Sequence, residues 1–212
     1  MSEIPQLIKF ANLMCSRLCH DLISPVGAVN SAVELMEDEV ENVDREVLTL
    51  MSRSAAESTA KLAFFRAAFG DGGSSKSRVT CEHLNALAQA VLPAGKVTLQ
   101  WDLNDTDQIS NSAGKLLLMF VMIAVDALPR GGGINVKVHT LEDGLGVACV
   151  AEGPGANLKD NVALTLTGSV NFVDVTARDV TAYYAYALAT SLDATVETSS
   201  DEGAIMLAAL LP

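Results

Sequence analysis

The chain has 212 residues, enough for one or two modest domains with their own cores, since a chain of about 150 residues buries roughly two-thirds of its extended surface on folding. Half of the residues are hydrophobic and 19% are charged, with 15 glycines and 6 prolines, a globular composition that excludes both a disordered chain and a collagen-like repeat. The 26 acidic against 14 basic residues leave a net charge of -12, a field that repels phosphate backbones and anionic membrane surfaces and sets aside nucleic acid and membranes as partners.

The first predicted element is a long helix. Leu7, Ala11, Met14, Leu18, Leu22, Pro25, Val29, Val33 and Met36 recur at steps of four and three, tracing one apolar stripe on a helix of about 30 residues. Pro25 within it removes a hydrogen bond and predicts a local kink. Cys15 and Cys19 stand four apart with no second Cys/His pair at ligand spacing, so no metal site is expected. The four cysteines come without a basic and then apolar leader, and the cytoplasm is the expected compartment. Seven acidic residues and Asn42 between Glu34 and Glu46 predict an exposed hairpin tip. Leu48, Met51, Ala55, Ser58, Leu62, Phe65 and Phe69 then repeat the three-and-four spacing of a second helix. A lone antiparallel pair leaves its apolar faces half covered, so dimerisation into a four-helix bundle is expected.

Gly70-Asp71-Gly72-Gly73-Ser74-Ser75-Lys76-Ser77 has the small polar chemistry of a linker. Beyond it the pattern is mixed. Val97 to Trp101 alternates as a strand, Ala113 to Leu128 reads as an apolar helix, and Ile134 to Val138 and Leu145 to Val150 read as strands. Within that helix Leu116 to Val125 is too short an apolar run to span a bilayer, which takes roughly 20 residues. Gly131-Gly132-Gly133 lacks the Lys and Ser/Thr of a phosphate loop and simply turns helix into strand. Thr176 to Leu192 is a further helix, with Thr195 to Thr198 and Ala204 to Leu210 as closing strands. The fold class is therefore α+β with a mostly antiparallel sheet.

His20 sits about 200° around the first helix from both Leu18 and Leu22, so it points away from the stripe and is predicted to be exposed. Leu13, Ser16, Arg17, Ile23, Ser24, Gly27 and Ser31 share its face. Four of these are Gly or Ser, which lets another backbone approach the imidazole at some cost in helix propensity. Asp21 follows and can accept from Nδ1, leaving Nε2 unprotonated and nucleophilic. His83, near a helix start, and His139, in a strand, lack acidic or nucleophilic neighbours at useful spacing and read as structural or surface residues.

The run His20-Asp21-Leu22-Ile23-Ser24-Pro25 resembles the phospho-accepting box of sensor histidine kinases, in which an acidic residue follows the histidine and a proline stands five positions on. Ile23 departs from it, standing where those kinases commonly carry a basic residue. The wider stretch from Leu18 to Asn30 resembles the ChpT-like histidine phosphotransferases of alphaproteobacteria, a likeness that covers the whole chain in order and length. The resemblance implies a helical-hairpin dimerisation and phosphotransfer domain over 1–72, forming a dimeric four-helix bundle. It implies a degenerate histidine-kinase-like ATP-binding α/β sandwich over 79–212. Family kinases hold Mg-ATP with a polar helix, an adenine-reading aspartate and a glycine-rich lid. Here Met122, Ala151 and the stretch Val175 to Asp179 stand in those places; a thioether is a poor Mg ligand and a methyl accepts no hydrogen bond.

What the resemblance implies is a phosphorelay. His20 would take a phosphoryl group from the phosphoaspartate of a hybrid-kinase receiver similar to CckA and pass it to response regulators similar to CtrA and CpdR in a cell-cycle pathway. Asp21 would orient the imidazole. Arg17, Ile23, Ser24, Gly27, Ser31 and, from the second helix, Arg66 would meet the partner. No cofactor would be stably bound, Mg²⁺ being supplied by the partner receiver domain. Two other readings stay open: a non-catalytic dimeric adaptor or inhibitor that binds receivers or kinases, and, against the missing ligands, an ATP-dependent kinase.

Overall fold

The computed structural model describes residues 3–38, 44–71, 77–103 and 106–212. Of the exposed tip expected between Glu34 and Glu46, residues 34–38 belong to the first helix and 45–46 to the second, while 39–43, like 72–76 of the linker, lie outside the described residues. Helix α1 spans Glu3–Asp38 and runs unbroken through Pro25, a rod of about 54 Å at about 1.5 Å per residue. Helix α2 spans Arg45–Phe69; the Asp44 carboxylate caps it by accepting from the Glu46 amide at 3.0 Å, and the Gly70 amide closes it on the Arg66 carbonyl. The two helices pack against each other along the hairpin.

One partner helix covers only part of the apolar stripe. Met14, Pro25 and Ala32 are buried and Leu18 and Leu22 half-buried, whereas Leu7, Ala11 and Val33 on α1 and Leu48, Ala55 and Leu62 on α2 are exposed. The buried side of α2 is Ser54, Phe64, Phe65 and Ala68.

Proline 25 leaves a mark on the packing. Lacking an N–H, it cannot bond the carbonyl four residues back, which is that of Asp21. Lys61 of α2 fills the gap, its Nζ donating to the Asp21 carbonyl at 3.0 Å while pairing with Glu57 at 2.9 Å. The broken helical bond is thus replaced by one that ties α2 to α1.

The rest of the chain contains strands β1 (Arg78–Thr80), β2 (Val97–Asp102), β3 (Gln108–Ser110), β4 (Gly132–Leu141), β5 (Gly144–Glu152), β6 (Val196–Asp201) and β7 (Ala204–Leu211). Helices α3 (Cys81–Gln89), α4 (Asn111–Asp126), α5 (Asp160–Leu166) and α6 (Val180–Ser191) are interspersed with a 3-10 turn at Phe172–Asp174. Five strands form one sheet in the order β2-β4-β5-β7-β6, with β2 and β4 parallel and every other pair antiparallel; β1 and β3 form a separate two-stranded ribbon. Alternation sets one face of the sheet inward: Val97 and Leu99, then Ile134, Val136 and Val138, then Val147, Cys149 and Ala151 are buried. Helix α4, capped by the Ser110 hydroxyl on the Ala113 amide at 3.2 Å, is buried almost all round and forms the centre of the second layer.

Gly131 and Gly132 turn α4 into β4. Gly131 has φ +81° and any Cβ there would collide with the Lys96 carbonyl, while the Gly132 amide bonds that same carbonyl at 2.9 Å. Helix α6 begins at Val180 rather than at Thr176 because the Asp179 carboxylate accepts from both the Thr176 hydroxyl, at 2.6 Å, and its amide, at 3.4 Å, holding the preceding residues in a turn. Phe64, Phe65 and Ala68 at the end of α2 join the same contiguous apolar cluster as α4 and the sheet, and the Lys115 ammonium bonds the Gly70 carbonyl. The core therefore runs from the hairpin into the sandwich without a break.

Candidate functional site

Halfway along α1 the backbone turns His20 outward, and its side chain is 83% exposed. Its Nδ1 lies 3.0 Å from Asp21 Oδ1. A carboxylate offers only acceptors, so Nδ1 carries the proton and donates, and Nε2 keeps its lone pair directed to solvent. The Asp21 side chain is itself only 20% exposed, and its other oxygen, Oδ2, accepts from Arg17 Nε at 2.9 Å.

Arg17, expected among the docking residues, is turned into the molecule: its side chain is 16% exposed, and Nη2 donates at 2.9 Å to Asp126 Oδ2 at the end of α4. Burial lowers its pKa, but the charges and hydrogen bonds of Asp126 and Asp21 outweigh that and hold the guanidinium above its usual value. A chain of contacts, His20 to Asp21 to Arg17 to Asp126, thus runs from the exposed imidazole on the hairpin to the sandwich. Ile23, Ser24, Gly27 and Ser31 are exposed beside or below His20, Ile23 at 71%. Arg66 is exposed near the far end of α2.

Beside His20 a cleft of about 590 Å³ opens between α1 and the sandwich, lined among others by Arg17, Asp126, Lys159, Arg178, Asp179 and Thr181. At two of the places that the resemblance assigns to Mg-ATP contacts, the side chains are poor ligands. Met122, one turn before Asp126, lines a separate small cavity with Lys61, Phe64 and Phe65 instead of this cleft. Ala151 is fully buried within β5 and offers only a methyl. Among the described residues no group of three or more His, Cys, Asp or Glu is placed to hold a metal ion.

The other histidines stand apart. His83 is exposed, its amide bonded to the Thr80 hydroxyl that caps α3. His139 on β4 has an acidic neighbour that sequence spacing could not supply, with Nε2 3.5 Å from Asp102 Oδ1 on β2. All four cysteines are free, Cys15 and Cys19 exposed and Cys81 and Cys149 buried. No helix among the described residues is long and apolar enough to cross a membrane.

Lys61 and the Arg17–Asp126 link were not singled out in the sequence. For Lys61 a signal existed: Pro25 leaves the Asp21 carbonyl without its helical donor, and a lysine on a neighbouring helix is a natural replacement. For Asp126 only the fold could supply the proximity.

The model of the histidine phosphotransferase C-terminal domain matches residues 81–204. A protein phosphotransferase ChpT from Brucella abortus (strain 2308) is 35% identical over 127 residues, 60% of this chain, and the match spans 59% of that relative's length. Among solved structures, a bacterial phosphotransferase superposes with a TM-score of 0.82 at 25% identity, covering 99% of this chain and 97% of the other. The Acinetobacter baumannii histidine kinase AdeS superposes with a TM-score of 0.52 at 12% identity over 91% of this chain and 96% of its own, a likeness of fold alone. The helical hairpin followed by a histidine-kinase-like sandwich is the architecture these structures share.

Proposed function

The chain belongs to the family of the histidine phosphotransferase C-terminal domain, and from that premise we propose that it is a phosphotransferase working through a phosphohistidine at His20. It takes the phosphoryl group from the phosphoaspartate of a hybrid-kinase receiver and returns it to the aspartate of a response regulator. The observation that carries this reading is the exposed imidazole with Nδ1 held on Asp21 and Nε2 free.

Nε2 attacks the phosphorus in line. The N–P bond forms as the P–O bond to the receiver's aspartate breaks, and the departing carboxylate takes the electron pair. The positive charge left on the ring lies against the Asp21 carboxylate, and the second transfer reverses these changes on another receiver. Phosphoryl transfer is governed by positioning and charge stabilisation rather than by covalent machinery, so a sparse site suffices once the receiver brings its own divalent cation. Ile23, Ser24, Gly27 and Ser31 form the face on which the receiver docks, and Arg66 is a further candidate contact on α2. By the resemblance of the helix-one stretch, the donor is similar to CckA and the acceptors to CtrA and CpdR, in a cytoplasmic cell-cycle relay.

The working unit is a homodimer. Leu48, Ala55 and Leu62 are each seven residues apart on α2 and all exposed, the spacing of a bundle seam, and a second hairpin would cover them. We further propose domain limits of 1–72 and 79–212 and no autophosphorylation from ATP.

The test mixes the protein with a radiolabelled phosphorylated receiver and Mg²⁺, follows acid-labile label onto this chain and then onto a second receiver, and repeats both steps with His20→Gln and with labelled ATP alone. Label that requires both His20 and the phosphorylated receiver supports the transferase. Receiver binding without label, unaffected by His20→Gln, would turn the reading into an adaptor, and label from ATP alone would make it a kinase.

A further inference from the structure

Three features of the link between the two parts of the molecule go beyond the histidine and its neighbour. Asp21 divides its carboxylate, Oδ1 facing His20 Nδ1 at 3.0 Å and Oδ2 facing Arg17 Nε at 2.9 Å. Arg17 divides its guanidinium in turn, Nε on Asp21 and Nη2 on Asp126 at 2.9 Å. These two N–H groups lie on one edge of the guanidinium as parallel donors, the pair that ordinarily clasps a single carboxylate bidentately. Finally, Asp126 is the last residue of α4, where a negative charge opposes the helix dipole. Its place is unfavourable for the helix that carries it, and the contact it makes is with Arg17.

We propose that Asp126 is a positioning residue for His20, acting through Arg17: by taking Nη2 it keeps the guanidinium from closing on both oxygens of Asp21, and so leaves Oδ1 for the imidazole. The inference rests on His20 being the phospho-accepting residue.

Without Asp126, the free edge of Arg17 is in reach of both Asp21 oxygens. A bidentate clasp would draw Oδ1 away from Nδ1 and neutralise the carboxylate that fixes the tautomer. The ring would then shift toward the form protonated on Nε2, which has no lone pair there with which to attack phosphorus. Removing Arg17 as well removes the competitor, so the double variant is predicted to recover what the single one loses. A purely structural role for the Arg17–Asp126 pair predicts the reverse, the double variant being at least as impaired as the single. Asp126→Ala should leave the fold in place, since the Asp126 side chain is 55% exposed and α4 is held by its buried faces.

The experiment compares full-length wild type, Asp126→Ala, Asp126→Glu and Arg17→Gln/Asp126→Ala, each checked for an unchanged melting profile. Long-range proton–nitrogen correlation spectra of the neutral imidazole, recorded without any receiver, report which ring nitrogen of His20 carries the proton. Phosphoryl uptake from a radiolabelled receiver is measured in parallel. The expected result is a shift of His20 toward the Nε2-protonated form and uptake slowed about tenfold in Asp126→Ala, the scale of one charge-assisted hydrogen bond. Asp126→Glu should restore both readouts, and the double variant should recover them in large part. A tautomer in Asp126→Ala identical to wild type would overturn the proposal, as would a double variant slower than the single. If wild type takes no label, the transferase reading falls by itself, and the tautomer spectra still decide whether Asp126 sets the ring.

Discussion

Lys61→Met tests whether the lysine of α2 stands in for the helical bond that Pro25 removes. The substitution keeps most of the aliphatic stem and deletes the ammonium that donates to the Asp21 carbonyl at 3.0 Å. A hydrogen bond from a charged donor contributes about 1.5–3 kcal/mol. The Lys61 side chain is 22% exposed, so water replaces part of the loss and about 1–1.5 kcal/mol is the reasonable share. The pair with the half-exposed Glu57, an i,i+4 contact, adds about 0.3–0.5 kcal/mol. The total is about 1.5–2 kcal/mol. In a Pro25→Ala background the alanine supplies the missing N–H, the carbonyl is bonded within α1, and Lys61→Met should cost only the ion pair. The difference between backgrounds, about 1 kcal/mol, is the coupling to be measured. Urea unfolding at a fixed protomer concentration, with the slope of free energy against urea unchanged, gives the four values of the cycle. Equal losses in the two backgrounds, within about 0.3 kcal/mol, would refute the argument, because the lysine would then be packing for reasons unrelated to the proline.

Leu62→Glu places a charge on the exposed seam of α2 and should convert the proposed dimer to monomer in sedimentation equilibrium while leaving the helical circular dichroism intact. Cys15 and Cys19 should react with a thiol reagent in the native protein and Cys149 only after unfolding, because burial pushes its thiol up to about 12. That shift has a signed consequence for stability. The folded state holds the Cys149 proton while the unfolded thiol releases it from about pH 8.5 upward, so stability falls as pH rises through that range toward 12, by about 1.4 kcal/mol per unit; the raised Tyr183 and Tyr184 act in the same direction. Cys149→Ala should flatten the alkaline limb of the urea-midpoint profile, and a limb of unchanged slope would contradict this. Gly131→Ala forces a side chain to φ +81° and onto the Lys96 carbonyl, and should lower stability by about 1–3 kcal/mol or more, read as a drop in melting temperature.

Sequence pattern was enough for the long elements, whether their burial is one-sided or, as in α4, nearly complete. The strands of the sheet and helices α1, α2 and α4 fall close to where alternation and three-and-four spacing put them. Short elements carry too little pattern: α5 has seven residues and no side-chain cap at Lys159, and β1 and β3 have three residues each. Helix α3 is two and a half turns long, and its signal was a cap, the Thr80 hydroxyl on the His83 amide, rather than a stripe. At the site, the His20–Asp21 contact was legible because the two residues are neighbours on one helix. The inward turn of Arg17 was not legible, for the complementary reason. Its own helix put it on the face of His20, and only the packing of α4 beside α1 brought Asp126 to claim the guanidinium.

The burial of Phe64, Phe65 and Ala68 in the core shared with α4 bears on how this molecule comes apart. A cut after Asp71 would strip those rings of their cover and uncover the flank of α4 against which they lie. Neither fragment would be a ready-made folding unit, whatever the linker chemistry between them suggests. Local openings that free the hairpin from the sandwich must expose this aromatic plug, so amide exchange at the C-terminal turns of α2 should be as slow as in α4.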